Sequence, residues 1–514
     1  MSILKKINQF ENFLFAVLLC YTFFGAIRSS LLNFQNISNL LYSFVIILFF
    51  LTTYVFLSDK RTKIKKIIVT KLRIILTHER LIVSLMFCLF ILIQMALLIN
   101  ITAPIGWDVL DNFNEVTSPE KGHFSFALSV NPNNQFFFFM MYGINTIINN
   151  IDFSGLLSNS WLSWQIVNCI FIDLSIIILY LSAKKLFNRS IAFITFCLFS
   201  FSLALSPWIL TPYTDTMVLP FISFTIFFFS ILRNNDSLAL WKKMMLIWGI
   251  GMLIMCCFLM KPSSVVFFIA YVLVVLPKTL LSKESRKKKT SLILTTVILV
   301  TSLILTQQSF RFFTQHQSII SFDTSLAKPW TFFVMMGLTG SGGYSDADTQ
   351  MIYSIPTAKE KKEYTKEMIK ERIKNKGAMG YIKFLSQKNI NNTANGDFDW
   401  GVDGADLKPA SSPKNKLQVF LQNLYYPQSL QSANIRFLMH VVYLLTLIGM
   451  ILTIRMKREN VLIEILKLTF IGMIFYLLLF EGGRSRYLIQ FLPFLFLLSA
   501  NGFYYHFKHS LSEI

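Results

Sequence analysis

Charged residues are scarce in this sequence, because Asp, Glu, Lys and Arg together make up only 15% of its 514 residues. Soluble domains carry about 25% of these residues on average. Hydrophobic residues reach 54% of the chain, and Phe alone occurs 52 times. A chain with so little charge cannot cover a water-exposed surface, so the composition excludes an ordinary soluble protein.

Cysteine is also rare, and the positions of the six cysteines exclude two common kinds of site. All of them lie in long apolar segments, so none can staple a large water-exposed loop, and none has the spacing of metal ligands. We expect small buried side chains. The P-loop, G-x-S-x-G and H-E-x-x-H motifs are absent as well. The six are Cys20, Cys88, Cys169, Cys197, Cys256 and Cys257.

Long apolar runs are what the chain does contain, and each is long enough to cross a bilayer of about 30 Å as a helix. The fold class predicted from them is an all-α polytopic membrane protein, because backbone polar groups in lipid must bond within the segment. The first run follows Lys5 and Lys6 without a convincing cleavage pattern, so we expect it to be retained. We predict twelve spans, at 12–31, 38–58, 81–101, 162–182, 191–208, 215–233, 244–260, 262–278, 291–307, 435–454, 461–480 and 487–506.

The basic residues predict the orientation of these spans. The loop at 59–80 carries eight Lys or Arg, and the loop at 278–289 carries six. Twelve spans place these loops on one side, which the positive-inside rule identifies as the cytoplasm, with both termini. The net charge of +21 is therefore a topology signal in a plasma-membrane protein. We expect contact with membrane lipid and no nucleic-acid partner.

The same topology predicts three parts. Residues 1–307 form an N-terminal bundle with a first outer loop at 102–134. The segment 134–149 is apolar but short, so we interpret it as a helix in the outer interface. Residues 308–433 form a mostly helical outer loop domain, in which the Thr357–Glu360 capping box predicts a helix start. Its acidic, Gly-rich stretch at 395–404 predicts a polar turn, and residues 434–514 return to the membrane.

Four acidic residues are candidates for chemistry. Asp108 and Asp111 follow Trp107 at the exit of a span and share one face of a turn or helix. They are interpreted as a base with a helper, as metal ligands, or as solvated loop acids. Asp215 opens a helix, where an acid complements the dipole. Asp173 lies in the middle of a span, so it must be paired, with Lys467 as one conceivable partner, or functional.

Cations on the predicted outer side are the complement of these acids. Lys261, Arg484 and Arg486 lie there against the positive-inside trend, with Tyr487 beside the arginines. Such cations are suited to holding a lipid phosphate or pyrophosphate, which Arg can bind through two oxygens. The alternative for each of them is a side chain that reaches the interface from the helix end.

Taken together, these motifs resemble the membrane-integral glycosyltransferases with the C-type fold, in particular their protein-mannosyltransferase and lipid A aminoarabinose-transferase branch. The large loop is also similar to an uncharacterised bacterial group associated with cell-wall polysaccharide glycosylation. Two helices precede the helix that leads into the loop with Asp108, where the family has none, and no adjacent Asp-Glu pair stands in this loop. The motifs that carry the resemblance are Asp108, the Pro-containing entry at 131–134, the inner loop at 183–189, the turn at 206–215 and the late loop at 484–487 with Pro493.

The resemblance implies transfer of a sugar from a polyprenyl-phosphate donor to a glycan or protein acceptor on the outer face. Asp108, with Asp111 as the weaker match, would be the general base. Lys261, Arg484, Arg486 and Tyr487 would hold the donor phosphate, with Asp215 and Asp173 in support. No cofactor is defined, and a divalent cation stays open.

Two other classes of function fit a bundle of this kind. A polymerase or ligase of lipid-linked glycans also combines many spans with a large outer loop, and would require an Arg or His there, such as Arg311. A flippase or transporter of lipid-linked sugars would require charged residues along a central path and an internal repeat.

Overall fold

The structure, a computed structural model, describes residues 2–33, 37–47, 77–106, 108–118, 121–235, 237–281, 286–456 and 460–511. This part of the chain is helical almost throughout. Its only sheet is a parallel pair of two-residue strands, β1 (His123–Phe124) and β2 (Ile320–Ser321).

The first part of the chain forms twelve labelled helices. They are α1 (Ser2–Ile27), α2 (Glu79–Asn100), α3 (Asp108–Thr117), α4 (Phe126–Val130), α5 (Gln135–Ile151), α6 (Trp161–Leu186), α7 (Arg189–Phe199), α8 (Thr214–Met217), α9 (Leu219–Asn234), α10 (Leu240–Met260), α11 (Val266–Leu281) and α12 (Arg286–His316).

The second part forms eight more helices. They are α13 (Trp330–Met336), α14 (Asp346–Tyr353), α15 (Ala358–Thr393), α16 (Trp400–Asp403), α17 (Lys416–Tyr425), α18 (Ser432–Leu452), α19 (Val461–Leu479) and α20 (Leu492–Leu511).

Among the described residues, ten helices are long and apolar enough to cross a membrane: α1, α2, α6, α8 with α9, α10, α11, α12, α18, α19, and α20 with the turn before it. The predicted all-α polytopic membrane fold is therefore confirmed, but the count of twelve is not. Of the two remaining predicted spans, α7 and its continuation to Ala204 form a shorter apolar helix. The span at 38–58 falls largely outside the described residues, of which 39–47 are helical.

Polar residues set the boundaries of the membrane helices. Ser160 caps α6, since its Oγ accepts a hydrogen bond from the backbone N of Ser163 at 3.2 Å. Asn188 caps α7 in the same way. At the other end of α6, Lys184 Nζ lies 2.6 Å from Glu79 Oε1 at the start of α2. This buried ion pair fixes α2 and α6 as antiparallel neighbours.

The long segment at 317–431, which we call the loop domain, packs against one end of the bundle, here called the loop end. Three contacts show which helix ends lie there. Ser29 Oγ, just beyond α1, donates to Asn395 Oδ1 at 2.8 Å. Tyr426 Oη donates to the carbonyl of Thr102, just beyond α2, at 2.7 Å. Lys388 Nζ donates to the carbonyl of Phe480, just beyond α19, at 2.6 Å.

Inside the loop domain, α15 starts where the capping box predicts. Thr357 is its N-cap and accepts from the backbone N of Glu360 at 3.2 Å. The helix continues to Thr393 after a kink at Gly377, whose φ of 60° suits glycine. The domain boundary differs from the predicted one, because α12 continues to His316 and so includes the first nine residues assigned to the outer segment.

The short apolar segment at 134–149 forms α5, whose rings pack on α6, α9 and α12. Phe136 and Phe139 both contact Phe310 of α12, with ring centroids 5.3 and 6.3 Å apart. Phe137 contacts Trp164 of α6. The helix is not among the ten candidate spans, and its place in the interface stays a prediction.

Close packing of α18 on α20 predicts a sensitive glycine. A Cβ at Gly502 would overlap the backbone carbonyl oxygen of Gly449, and backbone yields little. We expect Gly502→Ala to lower the free energy of unfolding by about 1–3 kcal/mol, the usual cost of overpacking. Thermal unfolding in detergent measures this. Gly143→Ala on α5 is the matched control, since no atom lies within 4 Å of its added Cβ. Equal midpoints for the two variants would contradict the prediction.

Candidate functional site

Asp108 is the first residue of α3, where an acid complements the helix dipole. The helix is held by its apolar side: Val109 is buried, and Phe113 makes edge contacts with the rings of Trp161 and Trp164. The Oη of Tyr213 donates to Asp108 Oδ2 at 3.4 Å. Burial raises the pKa of Tyr213 well above its usual range, so this phenol stays a donor. The neighbouring Trp107 lies outside the described residues.

Asp215 lies in the first turn of α8, as predicted, and is fully buried. Its two oxygens face the two cations that were predicted on separate loops. Lys261 Nζ is 2.9 Å from Asp215 Oδ1, and Arg486 Nε is 3.4 Å from Oδ2. The hairpin between α10 and α11 and the late loop before α20 therefore meet at the start of α8.

Asp403 joins the two arginines of the late loop. Its Oδ1 lies 2.6 Å from Arg484 Nη1, and its Oδ2 lies 2.9 Å from Arg486 Nη1. Asp403 comes from the acidic stretch at 395–404, for which the sequence predicted only a polar turn. In the same stretch Asp399, with a φ of 55°, accepts from the backbone N of Ser485 at 2.6 Å. The stretch at 395–404 thus holds the late loop through Asp399 and Asp403. We call Asp215, Lys261, Asp403, Arg484 and Arg486 the charged cluster.

Two tyrosine rings pack against the cations of this cluster. The Arg486 Cζ lies 4.0 Å from the ring centroid of Tyr213 and 5.3 Å from that of Tyr487. Lys261 Nζ lies 4.7 Å from the ring of Tyr487. Cation–π contacts of this kind stabilise a cation that has lost water. Tyr213 is therefore the link between Asp108, through its hydroxyl, and the charged cluster, through its ring.

Glu481 and Lys328 belong to the same region and were missed from the sequence. Glu481 Oε1 accepts from Tyr487 Oη at 3.2 Å. Burial raises the pKa of Glu481, and the charge of Asp108 raises it further. Burial lowers the pKa of Lys328, while the charges of Asp108 and Glu481 oppose this effect. Neither residue stands in a recognisable motif, so only the folded chain brings them to Asp108.

Asp111 does not contact Tyr213 or the charged cluster. It is exposed on α3 and makes no hydrogen bond or ion pair with any residue that the structure describes. Partial burial raises its pKa, followed by the charges of Asp108 and Glu115. Within the described ranges, no three His, Cys, Asp or Glu residues are grouped so that they could hold a metal ion.

Asp173 is also remote from the cluster. It lies twelve residues into α6, or about 18 Å along the helix axis from its first residue. Lys467, which was one conceivable partner, is not bonded to it; Gln94 Nε2 donates to Asp173 Oδ1 at 2.9 Å. Lys467 donates to Asn12 Oδ1 at 2.7 Å. A neighbouring amide on α2 satisfies this carboxylate without any cation.

The comparisons with known proteins concern the chain as a whole. Residues 3–504 match a family model described as conserved hypothetical integral membrane protein. Comparisons with curated proteins and with solved structures give no match. The match agrees with the ten apolar helices and indicates no particular chemistry.

The clamp on the arginines yields a stability prediction. Asp403 and Arg486 are almost fully buried, with side-chain exposures of 2% and 6%. Removing one partner of a buried pair leaves an uncompensated charge, which costs about 3–5 kcal/mol. We expect Asp403→Asn to lower the free energy of unfolding by an amount near this range, measured by thermal unfolding in detergent. Asp406→Asn, an exposed acid three residues further on, is the control. A midpoint for Asp403→Asn like that of the control would refute the clamp.

Proposed function

The chain belongs to the family of conserved hypothetical integral membrane proteins, and we propose that it transfers a sugar from a polyprenyl-phosphate donor to an acceptor at the loop end. One observation carries the proposal. Tyr213 donates a hydrogen bond to Asp108 while its ring packs on Arg486, so a carboxylate base and a group of cations share one site. A glycosyl transfer to a hydroxyl needs both groups.

Asp108 acts as the general base in this proposal. The acceptor hydroxyl loses its proton to the Asp108 carboxylate as its oxygen attacks the anomeric carbon from the face opposite to the phosphate, so the configuration inverts. The bond between the anomeric carbon and the phosphate oxygen breaks, and the electron pair leaves with the phosphate. Tyr213 holds the carboxylate in place through its hydrogen bond, which is the pre-organisation that proton transfer requires.

The charged cluster stabilises the leaving phosphate. Its three cations face two carboxylates, Asp215 and Asp403, which leaves one positive charge in excess. The ion pairs and the rings of Tyr213 and Tyr487 hold these cations before any ligand arrives. Fixed charges of this kind contribute the larger share of catalysis, because they need not reorganise as negative charge develops.

The sequence predicts which side of the membrane the loop end faces, and that side limits the kind of acceptor. The distribution of Lys and Arg predicts that the loop end is extracytoplasmic, with both termini in the cytoplasm. A lipid donor would place its polyprenyl tail between the membrane helices and its phosphate at the loop end. The acceptor would then be a cell-surface glycan or a protein, covered by the loop domain.

The two other functions have less support from the geometry. Arg311, the example of an Arg that the polymerase or ligase hypothesis would use in the long outer segment, is exposed on the membrane helix α12. Asp173, which the transporter hypothesis requires on a path, is bonded to Gln94. Neither residue contacts the charged cluster.

A single substitution tests the proposed base. We expect Asp108→Asn to lower the rate of sugar transfer by about 10²–10⁴-fold, the usual contribution of a general base, because the amide cannot take the proton. The assay follows radiolabelled sugar from defined polyprenyl-phosphate donors into acceptor in membrane vesicles. Asp406→Asn is the charge-matched control, and Asp111→Asn should lose less than tenfold. Full activity of Asp108→Asn, with insertion unchanged, would sink the proposal.

A further inference from the structure

Lys328 is the cation near Asp108 that the charged cluster does not include. It lies in the loop domain, at the start of the segment that leads into α13. The parallel strands β1 and β2 join the first outer loop to the loop domain, and the backbone N of Asp323 donates to Ser129 Oγ at 3.0 Å. The backbone N of Lys328 then donates to the carbonyl of Val130 at 3.1 Å. These bonds deliver Lys328 to the same loop that carries Asp108.

The ammonium group of Lys328 is held by neutral partners. Its Nζ donates to Asn131 Oδ1 at 3.2 Å. It also lies 5.2 Å from the ring centroid of Phe332 and 5.3 Å from that of Tyr353. Burial raises the pKa of Tyr353 to about 12, and the charges of Tyr344 and Asp108 add to this effect. The lysine is thus positioned, and partly desolvated, without being neutralised.

Lys328 differs in this respect from the three cations of the charged cluster. Lys261, Arg484 and Arg486 each have a carboxylate oxygen within 3.4 Å. No carboxylate of the described residues lies within the 4.0 Å ion-pair distance of Lys328. The amide oxygen and the two rings hold this half-buried cation without cancelling its charge, so the charge stays available for an anionic ligand.

We propose that Lys328 is a phosphate-binding residue, so that the donor is recognised jointly by the loop domain and the membrane bundle. The inference rests on the proposed function and names a further contact of the same site. The phosphate of a polyprenyl phosphate would lie between Lys328 on one side and the charged cluster on the other. The loop domain then supplies a binding group and is more than a cover for the acceptor.

The test measures binding, which does not depend on transfer. The probe is a short-chain polyprenyl phosphate without sugar, titrated into the full-length protein in detergent, with the uncharged polyprenol as the second probe. We expect Lys328→Gln to weaken binding of the phosphate about tenfold or more, the factor for one charge-assisted hydrogen bond. Binding of the polyprenol should not change. Lys328→Arg should keep most of the affinity, and Lys374→Gln, an exposed lysine of α15, should keep all of it.

A second variant keeps Lys328 and the fold in place. Asn131→Asp has nearly the same shape and gives the ammonium group a carboxylate at the position of the present amide oxygen. We expect it to weaken phosphate binding as Lys328→Gln does, because the cation is then neutralised from within. Thermal unfolding in detergent verifies that both variants are folded.

The outcomes separate this inference from the proposed function. Equal phosphate affinity of wild type, Lys328→Gln and Asn131→Asp would overturn the role of Lys328, whatever the transfer assay shows. Loss of affinity in both variants, together with full activity of Asp108→Asn, would support Lys328 and overturn Asp108 as the base; the same loss without any transfer by the wild type would support Lys328 and overturn the transfer. No binding of polyprenyl phosphate by the wild type would overturn both the donor class and the inference.

Discussion

Burial of the Arg486–Asp215 ion pair is the constraint on which the loop end depends. The two side chains are 6% and 0% exposed, and charges can leave water to that extent only when other groups take the place of the solvent. Lys261 and Asp403 supply the second ionic contact of each partner, and Tyr213 supplies a ring. These groups come from α8, the α10–α11 hairpin, α16 and the late loop. The pair is therefore compensated only when all four segments are docked.

The late loop is in turn fixed by a buried lysine and by glycines. Lys388 of α15 donates to the carbonyls of Gly337, Leu478 and Phe480 at 2.6, 3.0 and 2.6 Å. Two of these acceptors are the carbonyls at the end of α19, which have no partner inside the helix. The three carbonyls take the place of water around the ammonium group of Lys388. Burial lowers the pKa of this lysine to about 7. The loop domain thus fixes the position at which the late loop begins.

The glycines explain how closely the loop domain approaches this point. The backbone N of Gly482 donates to the carbonyl of Gly342 at 2.8 Å. A Cβ at Gly343 would lie 2.9 Å from the carbonyl oxygen of Gly482, closer than side chains tolerate. Gly483 has a φ of 75°, which an L-residue rarely adopts. Backbone contact between the two segments, and hence the position of Arg484 and Arg486, requires residues without side chains here.

Hydropathy and charge made the membrane fold predictable, together with the loops at which Asp108, Asp215, Lys261 and Arg486 occur. These signals are local, because about 20 consecutive residues are enough to identify a membrane span. What could not be predicted depends on contacts between distant parts of the chain. Asp403 is 81 residues from Arg484, and Lys328 is bonded to Val130 of the first outer loop beside two short strands that are distant in the chain. The contact of Asp173 with Gln94 could not be predicted either, because a neutral amide on another helix leaves no charge signature.

The balance of charge around Asp108 follows from these non-local contacts, and it bears on what the site can hold. The four cations are Lys261, Lys328, Arg484 and Arg486, and the four acids are Asp108, Asp215, Asp403 and Glu481. With every group ionised the site would be neutral and would give a phosphate little electrostatic advantage. Burial of Glu481 raises its pKa, so this acid holds a proton more readily than an exposed glutamate does. The hydrogen bond from Tyr487 and the charges of Lys261 and Arg486 oppose that shift, so burial and the contacts of Glu481 act in opposite directions. An acid that stands in no motif of the sequence thus contributes to the balance of charge around the predicted cations.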